Sequence, residues 1–460
     1  MALQLHTREK LAEAARTISE SFALVNHKER LYVPIDYLTK ESSPQPDEAN
    51  KVWQLLKSED LVRFANMYGN ILFANDSEKR NFEGMLLQLA TQKPDDATFI
   101  FIATEAGLKQ LHADGSLKDP DGTFSPNFIT TKVNSNPDDV QFVKNTITEW
   151  VGSDEQATSL LHHLASALAV TWSAVRYVLL LGEGSNGKGV LLTMVTTLFD
   201  PVNISGVTRQ LMADSSPACL DVNNMLLNIV MDGPATYLGD SGLEKTLVAG
   251  EPAYLRPLYS GTLMKAQTNA LFIEGLNKEP KTRDKSKGLQ RRLIRFWFNN
   301  EYAQDLRFSR KMRSPRYLGA FLQLLLDHFV TEDTMPELLK PTKEATDLRV
   351  DQMLVNSMGL QFLLDLHQKN PKQIDKLIDS DIAALVGAFN PWVLSQTGDH
   401  YSDLEARKML GDLFHTRRSS RRVNGAPQSY YKITGFKTET QQLLEQLKGG
   451  ENVSMVVDEE

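Results

Sequence analysis

The amino-acid sequence predicts an α/β fold in which helices flank a parallel β-sheet. Between residues 177 and 298, short apolar runs alternate with segments of helical periodicity. This alternation is typical of a sheet covered by helices, and strands that are apolar throughout are usually buried on both faces. The predicted strands are YVLLL (177–181), LLNIVM (226–231), NALFI (269–273) and LIRFWF (293–298).

Length and composition indicate a folded protein of several domains. The 460 residues suggest about three domains, and the apolar share of 41% and charged share of 23% are those of ordinary globular proteins. No run reaches the roughly 18 apolar residues of a membrane helix, and the first residues lack the apolar core of a signal peptide. We therefore expect a protein of the cytoplasm, or of the host cytoplasm if it is viral, with no membrane partner.

The single cysteine and the net charge limit the possible roles of the protein further. Cys219 can form no internal disulfide and has no partners at metal-ligand spacing, so a packing role in a reducing compartment is expected. The net charge of −8 argues against a protein coated in DNA-binding charge, although a ring can carry a small basic surface in its channel. Net charge therefore leaves nucleic-acid binding undecided.

Changes in pattern divide the chain into four parts. Residues 1–135 mix helical stretches with an extended segment at 97–103 and a turn-rich run at 114–124. Residues 136–172 are predicted to form two packed amphipathic helices, the second opened by the capping-box pair Ser153 and Gln156. Residues 173–340 hold the sheet and a closing helix at 318–330. Residues 341–460 are mostly helical before a β-hairpin or wing at an Asn-Gly turn and an acidic tail.

The segment after the first predicted strand has the pattern of a phosphate-binding loop. Glycines let backbone N–H groups wrap around phosphates, the following helix N-terminus contributes partial positive charge, and Lys188 is placed to reach the terminal phosphates. A Gly-rich turn without this role is the alternative, but the strand, the lysine and the helix together favour the functional interpretation. The predicted loop residues are Gly182, Glu183, Gly184, Ser185, Asn186, Gly187, Lys188, Gly189 and Val190.

One position departs from the usual loop pattern. Gly189 stands where a Ser or Thr hydroxyl normally binds magnesium. A water can replace that hydroxyl, since Mg²⁺ commonly keeps several of its waters. The departure therefore weakens the prediction of magnesium-dependent turnover without excluding it.

Polar residues follow the next two apolar runs. Asp232 comes after LLNIVM, where its carboxylate can hold a metal ion or its water. Asn277 follows NALFI, where its amide can orient an attacking water or contact a phosphate. Turn chemistry is the alternative for each residue taken alone. No second acid stands beside Asp232, so this carboxylate is expected to serve as both metal ligand and base.

Two arginines, Arg291 and Arg292, stand immediately before the last predicted strand, at the rim of the sheet. Arginines there can reach the nucleotide of a neighbouring subunit and stabilise charge on the transferred phosphate. Paired surface arginines are commonly just solvated, and the residues alone leave this alternative open. The basic run at 310–316 and the pair His162 and His163 have no such context, so we predict packing or surface roles for them.

Taken in order, these motifs resemble those of the superfamily 3 helicases. The order is GxGxNGKG, one acid after an apolar strand, LEKTLVAGEPAYLRPLY, Asn before Pro, and Gly before Arg-Arg. It is similar in particular to the helicase part of phage, plasmid and poxvirus primase-helicases. The resemblance covers roughly residues 100–350, with an echo in YYKITGF. It implies an AAA+ type motor domain that hydrolyses ATP with Mg²⁺.

Carried onto this sequence, the family pattern makes Lys188 the phosphate lysine, Asp232 the Walker B acid and metal ligand, and Asn277 the sensor. It makes Arg292, with Arg291 as its competitor, the arginine finger. Because such a finger acts across a subunit boundary, the resemblance implies a homo-hexameric ring. In that ring, residues 136–172 resemble the oligomerisation collar.

The resemblance also implies candidate DNA contacts. Residues 245–265 match a segment leading into a β-hairpin that projects into the ring channel, and its candidates for gripping DNA are Arg256, Tyr259 and Lys265. The basic cluster beside the C-terminal hairpin resembles the winged-helix end of these proteins and comprises Arg417, Arg418, Arg421 and Arg422. A solvated hairpin and a solvated loop are the alternatives. A few basic side chains per subunit suffice, because translocation needs mainly phosphate contacts.

We therefore predict an ATP-dependent replicative DNA helicase of a phage or mobile element. The resemblance implies a hexamer that acts on single-stranded and forked DNA with 3′ to 5′ polarity. Residues 1–135 show neither a zinc arrangement nor the paired carboxylates of a primase, so a separate primase or DNA polymerase is the expected partner. The rival interpretations are a replication initiator or helicase loader, and a nucleotide-binding scaffold with weak ATPase activity.

Overall fold

The computed structural model describes residues 7–27, 30–36, 51–92, 98–223, 225–257, 261–284, 286–303, 305–355, 357–370, 376–397, 401–411, 413–423, 426–437 and 440–441. The chain divides into two compact units, Met1–Lys278 with Ser286–Thr342, and Glu279–Lys285 with Lys343–Glu460. The division after Thr342 falls in the Pro-containing stretch that follows the predicted sheet. Within the described ranges, no helix is long and apolar enough to cross a membrane.

The first unit begins with helices packed on a small mixed sheet. Its elements are α1 (Arg8–Ser21), β1 (Val25–His27), β2 (Arg30–Asp36), β3 (Lys51–Leu55), α2 (Ser58–Gly69), α3 (Asp76–Leu89) and β4 (Thr91–Gln92). β1 pairs antiparallel with β2 and parallel with β4, which gives the strand order β3-β2-β1-β4. Ile18, Phe64 and Phe82 are buried in the core between the helices and this sheet.

A second sheet follows in the order β7-β6-β5-β8. Its strands are β5 (Phe99–Thr104), β6 (Gly107–His112), β7 (Leu117–Lys118) and β8 (Phe128–Lys132). β5 confirms the extended segment predicted at 97–103. In the turn-rich run, hydrogen bonds from Gln110 and Thr123 lower the pKa of Asp121 to about 2, so its carboxylate stays ionised and holds the turn in place.

Two helices, α4 (Pro137–Val151) and α5 (Asp154–Ala165), confirm the predicted amphipathic pair. Asn136 caps α4 by accepting hydrogen bonds from two backbone N–H groups of the first turn, and Gly152 ends the helix with φ of 87°. Ser153 then caps α5 by accepting from the N–H of Gln156 at 3.2 Å, as predicted.

A five-stranded parallel sheet forms the centre of the first unit and confirms the predicted α/β fold. The elements of this region are β9 (Tyr177–Leu181), α6 (Lys188–Leu198), β10 (Ile204–Ser205), α7 (Arg209–Ala213), β11 (Leu227–Val230), α8 (Gly242–Val248), β12 (Ala253–Leu255), β13 (Met264–Ala266), β14 (Leu271–Leu276), α9 (Lys287–Gln290) and β15 (Leu293–Trp297). The sheet order is β10-β11-β14-β9-β15, with each neighbouring pair parallel. β12 and β13 form a separate antiparallel hairpin.

The strands are apolar throughout because both faces of the sheet are covered. Side chains alternate along β9, so Val178 and Leu180 share one core with Leu191 of α6, while Tyr177 lies on the other face with Leu247 of α8. Burying one such large apolar side chain contributes about 1.5–3 kcal/mol. The sheet therefore holds the ends of its strands in fixed positions.

One strand prediction was wrong at both ends. The run NALFI predicts a strand over 269–273, whereas β14 begins at Leu271 and continues to Leu276. The hydroxyl of Thr268 accepts a hydrogen bond from the N–H of Ala270 at 3.0 Å, which keeps the start of the run in a turn. The carboxyl end of β14 was not predicted because a charged residue, Glu274, interrupts the apolar run. In the structure the Glu274 side chain is buried, with only 1% exposed.

The first unit closes with α10 (Leu306–Met312), α11 (Pro315–Asp327) and α12 (Met335–Leu338). α11 confirms the buried helix predicted at 318–330, but it starts and ends three residues earlier, with proline at its first turn. Its residues Leu318, Phe321 and Leu325 are buried in the same core as α6. Asp139 of α4 pairs with Arg316 at 2.6 Å, which joins the two helices.

The second unit combines helices with a long antiparallel hairpin. Its elements are α13 (Lys343–Val355), α14 (Met358–Lys369), α15 (Ile382–Thr397), α16 (Asp403–Gly411), β16 (Phe414–Val423) and β17 (Ala426–Phe436). Leu363, Phe389 and Ile433 are buried in its core. The predicted hairpin is present. Its Asn-Gly turn at 424–425 and the predicted acidic tail lie outside the described residues.

We expect Gly319→Ala to destabilise the first unit. A Cβ at Gly319 in α11 would overlap the carbonyl oxygen of Lys132 and lie 2.9 Å from Cβ of Asn134. Such overpacking typically costs about 1–3 kcal/mol, which exceeds the ~1 kcal/mol gained by alanine inside a helix. Urea unfolding followed by tryptophan fluorescence measures the change. Gly84→Ala in α3 is the matched control, because a Cβ there meets nothing within 4 Å. Equal effects of the two substitutions would contradict the steric argument.

Candidate functional site

The loop between β9 and α6 is held by two close approaches of its glycines. Gly182 has φ of 137° and Gly187 has φ of 97°, which are conformations that favour glycine. A Cβ on Gly182 would lie 2.6 Å from the carbonyl oxygen of Phe298, and one on Gly187 would lie 2.6 Å from Nε1 of Trp150. Both positions therefore need glycine for conformation and for space.

Asn186 and Lys188 are the buried side chains of the loop. Oδ1 of Asn186 accepts a hydrogen bond from Nζ of Lys188 at 3.2 Å, and Nζ also donates to the carbonyl oxygens of Gly182 and Glu183. Burial lowers the pKa of Lys188, and the negative charge of Asp232 opposes that shift. The ammonium group thus faces oxygen acceptors at the first turn of α6, where a loop of this kind binds phosphate oxygens.

The remaining residues of the loop are mostly exposed to solvent. Glu183, Gly184, Ser185 and Gly189 are exposed, and Val190 is half-buried. Ser185 has φ of 60°, and its carbonyl oxygen accepts from the N–H of Tyr302 at 2.8 Å. A Cβ on Gly189 would meet no atom of the described residues within 4 Å. Position 189 therefore has room for a side chain.

The two polar residues predicted beside the loop lie at the same edge of the sheet. Asp232 is exposed two residues after β11 ends, and Asn277 is exposed directly after β14. The N–H of Gly233 donates to the carbonyl oxygen of Gly275 at 2.8 Å, which ties the turn after β11 to β14. A Cβ on Gly275 would lie 2.6 Å from the carbonyl oxygen of Met231, so the close approach requires glycine.

The loop, Asp232 and Asn277 line one cleft of about 800 Å³. Two helical segments that the sequence motifs did not indicate also line this cleft. α4 contributes Phe142, Thr146, Glu149 and Trp150, and the segment from 302 to 313 contributes Tyr302, Ala303, Asp305, Phe308, Ser309 and Arg313. The rings of Trp150 and Phe308 lie 6.5 Å apart, nearly perpendicular. In the sequence, Phe142, Thr146, Glu149 and Trp150 are spaced so that they fall on one side of a helix, and this spacing is the signal by which they could have been found.

The acids that line this cleft have different surroundings. A carboxylate oxygen of Glu149 accepts from the hydroxyl of Tyr302 at 3.1 Å. Asp305 caps α10 by accepting from two backbone N–H groups, at 2.8 and 3.2 Å. All three acids are exposed, but Glu149 and Asp305 also support the local structure through these hydrogen bonds, whereas Asp232 stands just beyond the end of its strand.

Arg291 and Arg292 lie at the opposite edge of the sheet from the loop. The carbonyl oxygen of Arg292 accepts from the N–H of Tyr177, at the start of β9. β15 has five residues, so at about 3.3 Å per residue its two ends lie roughly 16 Å apart. The structure therefore does not bring these arginines to the cleft of their own chain.

The two arginines differ in exposure. Arg292 is 9% exposed and its Nη1 donates to the carbonyl oxygen of Gly288 at 2.6 Å, while Arg291 is exposed. Burial lowers the pKa of Arg176 and of Arg292, and the charge of Arg291 lowers both further. Cations are thus concentrated at this edge, with Arg291 on the solvent side.

The candidate hairpin residues lie on β12 and β13 or beside them. Lys265 is exposed and pairs across the hairpin with Tyr254, which is 64% exposed. Arg256, one residue beyond β12, is also exposed. Tyr259 lies outside the described residues. Tyr254, which the sequence analysis did not single out, therefore shares an exposed face with a predicted DNA contact.

The basic cluster of the second unit is divided between two faces of the hairpin β16–β17. Arg421 pairs with Asp381 at 3.2 Å, and Lys432, which lies opposite Arg417 in the ladder, pairs with Asp379 at 2.8 Å. Aspartates therefore neutralise part of the charge on the face that carries Arg417 and Arg421.

The other face of this hairpin carries Arg418 and Arg422. Tyr431 lies opposite Arg418 in the ladder and is 51% exposed. Both arginines are exposed, and Nη2 of Arg418 lies 3.4 Å from the hydroxyl of Ser429. Guanidinium groups beside an exposed aromatic ring form a surface suited to phosphates and bases.

The two features predicted to have packing or surface roles differ, because His163 is buried while Arg313 and Arg316 of the basic run are exposed. Nδ1 of His163 lies 2.7 Å from the carbonyl oxygen of Ser159, and burial lowers the pKa of His163 to about 4, so it is neutral near pH 7. Nδ1 of His162 lies 3.0 Å from the carbonyl oxygen of His328. In the basic run, Arg316 pairs with an aspartate of α4, whereas Arg313 lines the cleft.

Comparison with known proteins finds likeness in structure alone. No family model matches the chain, and no curated protein matches it. The A-form apo structure of the NrS-1 C-terminal region has 12% identity and a TM-score of 0.50, over 92% of this chain and 98% of that chain. A second A-form apo structure of the NrS-1 C-terminal region has 12% identity and a TM-score of 0.48, over 93% of this chain and 100% of that chain. A JCV helicase bound to a small molecule has 14% identity and a TM-score of 0.28, over 48% and 66%. The first match shows a shared fold.

Proposed function

We propose that this protein is an ATP-dependent DNA helicase of superfamily 3 and of the AAA+ type. The observation that carries the proposal is the convergence of Lys188, Asp232 and Asn277 on one cleft at the carboxyl edge of a parallel sheet. In open α/β sheets, ligands bind at this edge. The strand order supports the assignment, because β14, which precedes Asn277, lies between the loop strand β9 and the acid strand β11.

Several residues of the cleft have a defined task in the proposed hydrolysis of ATP. The ammonium group of Lys188 and the N–H groups of the loop bind the β- and γ-phosphates, and the amide of Asn277 orients the attacking water. Phe142, Trp150 and Phe308 form an apolar wall suited to the adenine ring. Bound Mg²⁺ supplies positive charge to the phosphate oxygens.

The acids present fit a magnesium ion that arrives with ATP. Among the described residues, no group of three His, Cys, Asp or Glu side chains is arranged to hold a metal ion alone. Mg²⁺ needs fewer protein ligands here, since it usually takes one or two carboxylates together with phosphate oxygens and waters. Asp232, exposed at the mouth of the cleft, meets that requirement.

The arrangement of arginines supports an assembly in which one copy completes the site of the next. We assign the finger to Arg291, because Arg292 is buried and bonded to a backbone carbonyl oxygen of its own chain. This reverses the preference expected from the sequence. The proposed assembly is a homo-hexameric ring in which α4 and α5 form the collar.

The proposed substrate is single-stranded DNA at a fork. Arg256, Lys265 and Tyr254 on the hairpin β12–β13 contact the strand in the channel, and the C-terminal hairpin, part of a winged-helix-like domain, contacts DNA through Arg418 and Arg422. From the family resemblance we propose 3′ to 5′ movement and a role in phage or mobile-element replication in the host cytoplasm. A separate primase or DNA polymerase is the proposed partner.

We expect Lys188→Ala to reduce ATP hydrolysis by about a hundredfold or more, because one lost electrostatic contact to the reacting phosphate typically costs 10²–10³ in rate. Phosphate release is measured with and without single-stranded DNA, alongside unwinding of a forked duplex. Lys340→Ala, at an exposed surface lysine, is the control and leaves the rate unchanged. Unchanged hydrolysis in the Lys188 variant would refute the loop assignment, and DNA-stimulated hydrolysis without unwinding would favour an initiator or loader.

Gly189→Ser should lower the magnesium concentration needed for half-maximal hydrolysis. Position 189 has open space, and a serine hydroxyl there supplies the ligand that this loop lacks. A hydrogen-bond-sized gain of ~1 kcal/mol corresponds to about fivefold tighter magnesium binding. Gly189→Ala is the control, since it changes helix propensity without adding a hydroxyl. An equal shift in both variants would remove the role of the hydroxyl.

Mixing variants tests whether the site is shared between subunits. Lys188→Ala and Arg291→Ala proteins are each expected to be nearly inactive, but mixed rings recover partial hydrolysis, because some interfaces pair an intact lysine with an intact arginine from the neighbour. The measurement is phosphate release as a function of mixing ratio. Arg292→Ala is the comparison, and its main effect should be a lower melting temperature through loss of the bond to Gly288. Absence of recovery at every ratio would contradict the cross-subunit role.

A further inference from the structure

A buried carboxylate lies directly under the turn that carries Asp232. Glu274 of β14 is 1% exposed, and a Cβ on Gly233 would overlap its carboxylate. Since Gly233 immediately follows Asp232 and its N–H bonds to β14, the backbone beside the acid rests on the Glu274 side chain. A shift of this carboxylate therefore moves the turn.

Tyr177 lies beside this carboxylate on the same face of the sheet. In the ladder Tyr177 lies opposite Phe272 and Leu179 lies opposite Glu274, so Tyr177 and Glu274 are diagonal neighbours on the same face. Burial and the charge of Glu274 raise the pKa of Tyr177 well above its ordinary value, so its hydroxyl keeps its proton. The guanidinium carbon of Arg209 in α7 lies 5.8 Å from the centre of the same ring.

Arg209 carries the connection to α8. Its Nε donates to Oε1 of Glu244 at 2.9 Å, and both side chains are almost fully buried, at 2% and 3% exposed. A second link comes from Thr236, downstream of Asp232, whose hydroxyl donates to Gln210 of α7 at 3.1 Å. Breaking a buried ion pair leaves an uncompensated charge, so these groups move together or not at all.

α8 in turn is joined to the hairpin β12–β13 by a short, hydrogen-bonded turn. The N–H of Gly250 donates to the carbonyl oxygen of Leu247 at 3.0 Å, and the N–H of Glu251 donates to that of Thr246 at 3.1 Å. β12 begins two residues later, at Ala253. Displacement of the hairpin is therefore transmitted to Glu244 rather than absorbed in a loose linker.

We propose that the buried relay, formed by Glu274, Tyr177, Arg209 and Glu244, couples the hairpin β12–β13 to the position of Asp232. These four side chains are positioning residues, and the relay rests on the proposed function, in which DNA acts on the hairpin and Asp232 acts in hydrolysis. DNA engaging the hairpin shifts α8, and the shift reaches the turn after β11 through Glu244, Arg209, Tyr177 and Glu274 in turn.

The test is the ratio of DNA-stimulated to basal ATP hydrolysis in the full-length protein. Tyr177→Leu removes the aromatic ring that Arg209 faces and should reduce this ratio about fivefold, as expected for loss of one buried cation–π contact, while the KM for ATP changes less than twofold. Glu274→Gln should reduce the ratio in the same direction. Tyr32→Leu is the matched control, because Tyr32 is also buried but lies in the first small sheet, and it should leave the ratio unchanged.

A double-mutant cycle separates a relay from simple structural damage. If the groups act in series, combining Tyr177→Leu with Glu244→Gln reduces the ratio little further than either change alone. Independent, multiplicative losses, or a ratio unchanged in Tyr177→Leu and in Glu274→Gln, would overturn the relay. A lower melting temperature together with a raised KM would also overturn it in favour of a purely structural role. Wild-type protein that hydrolyses no ATP in response to DNA would instead overturn the proposed function and the relay together.

Discussion

The close packing of the indole of Trp150 against Gly187 is the contact on which the rest of the site depends. No side chain fits at Gly187, so the loop passes directly under the indole, and α6 begins at the next residue with Lys188 buried. Trp150 belongs to α4, a helix outside the sheet. The position of the loop is therefore set from two sides, by the strand that precedes it and by a helix outside the sheet.

The parallel sheet separates the two groups of residues that the proposed shared site would combine. The carboxyl ends of the strands collect Asp232 and Asn277 beside the loop, while Arg291 and Arg292 stand where β15 begins. Since all five strands run the same way, a residue that precedes a strand cannot meet one that follows it within the same sheet. In the proposed ring, a second copy would bring the two edges together without any change in the fold of either.

Much of this arrangement was predictable because it follows local rules. Apolar runs located β9, β11 and β15, and the order of motifs placed Asp232 and Asn277 at one edge of the sheet. What could not be predicted depends on burial that no local pattern reveals. In the sequence Glu274 interrupts an apolar run, whereas in the structure its side chain is buried. Arg292 and Arg291 are chemically identical neighbours, and only the fold distinguishes the buried side chain from the exposed one. In the sequence, Phe142, Trp150 and Phe308 look like ordinary core residues. They meet at the cleft only because two helices that are distant in sequence pack beside it.

The division of charge on the C-terminal hairpin has a consequence for the thermodynamics of binding. Each phosphate neutralised by a protein cation releases close to one condensed counterion, about 0.7 for a single strand and 0.9 for duplex DNA. Of the five Arg and Lys side chains on β16 and β17, Arg421 and Lys432 pair with aspartates, so in the proposed DNA complex Arg417, Arg418 and Arg422 would release about two to three ions rather than about four. The proposed binding through this surface would therefore be only moderately sensitive to salt.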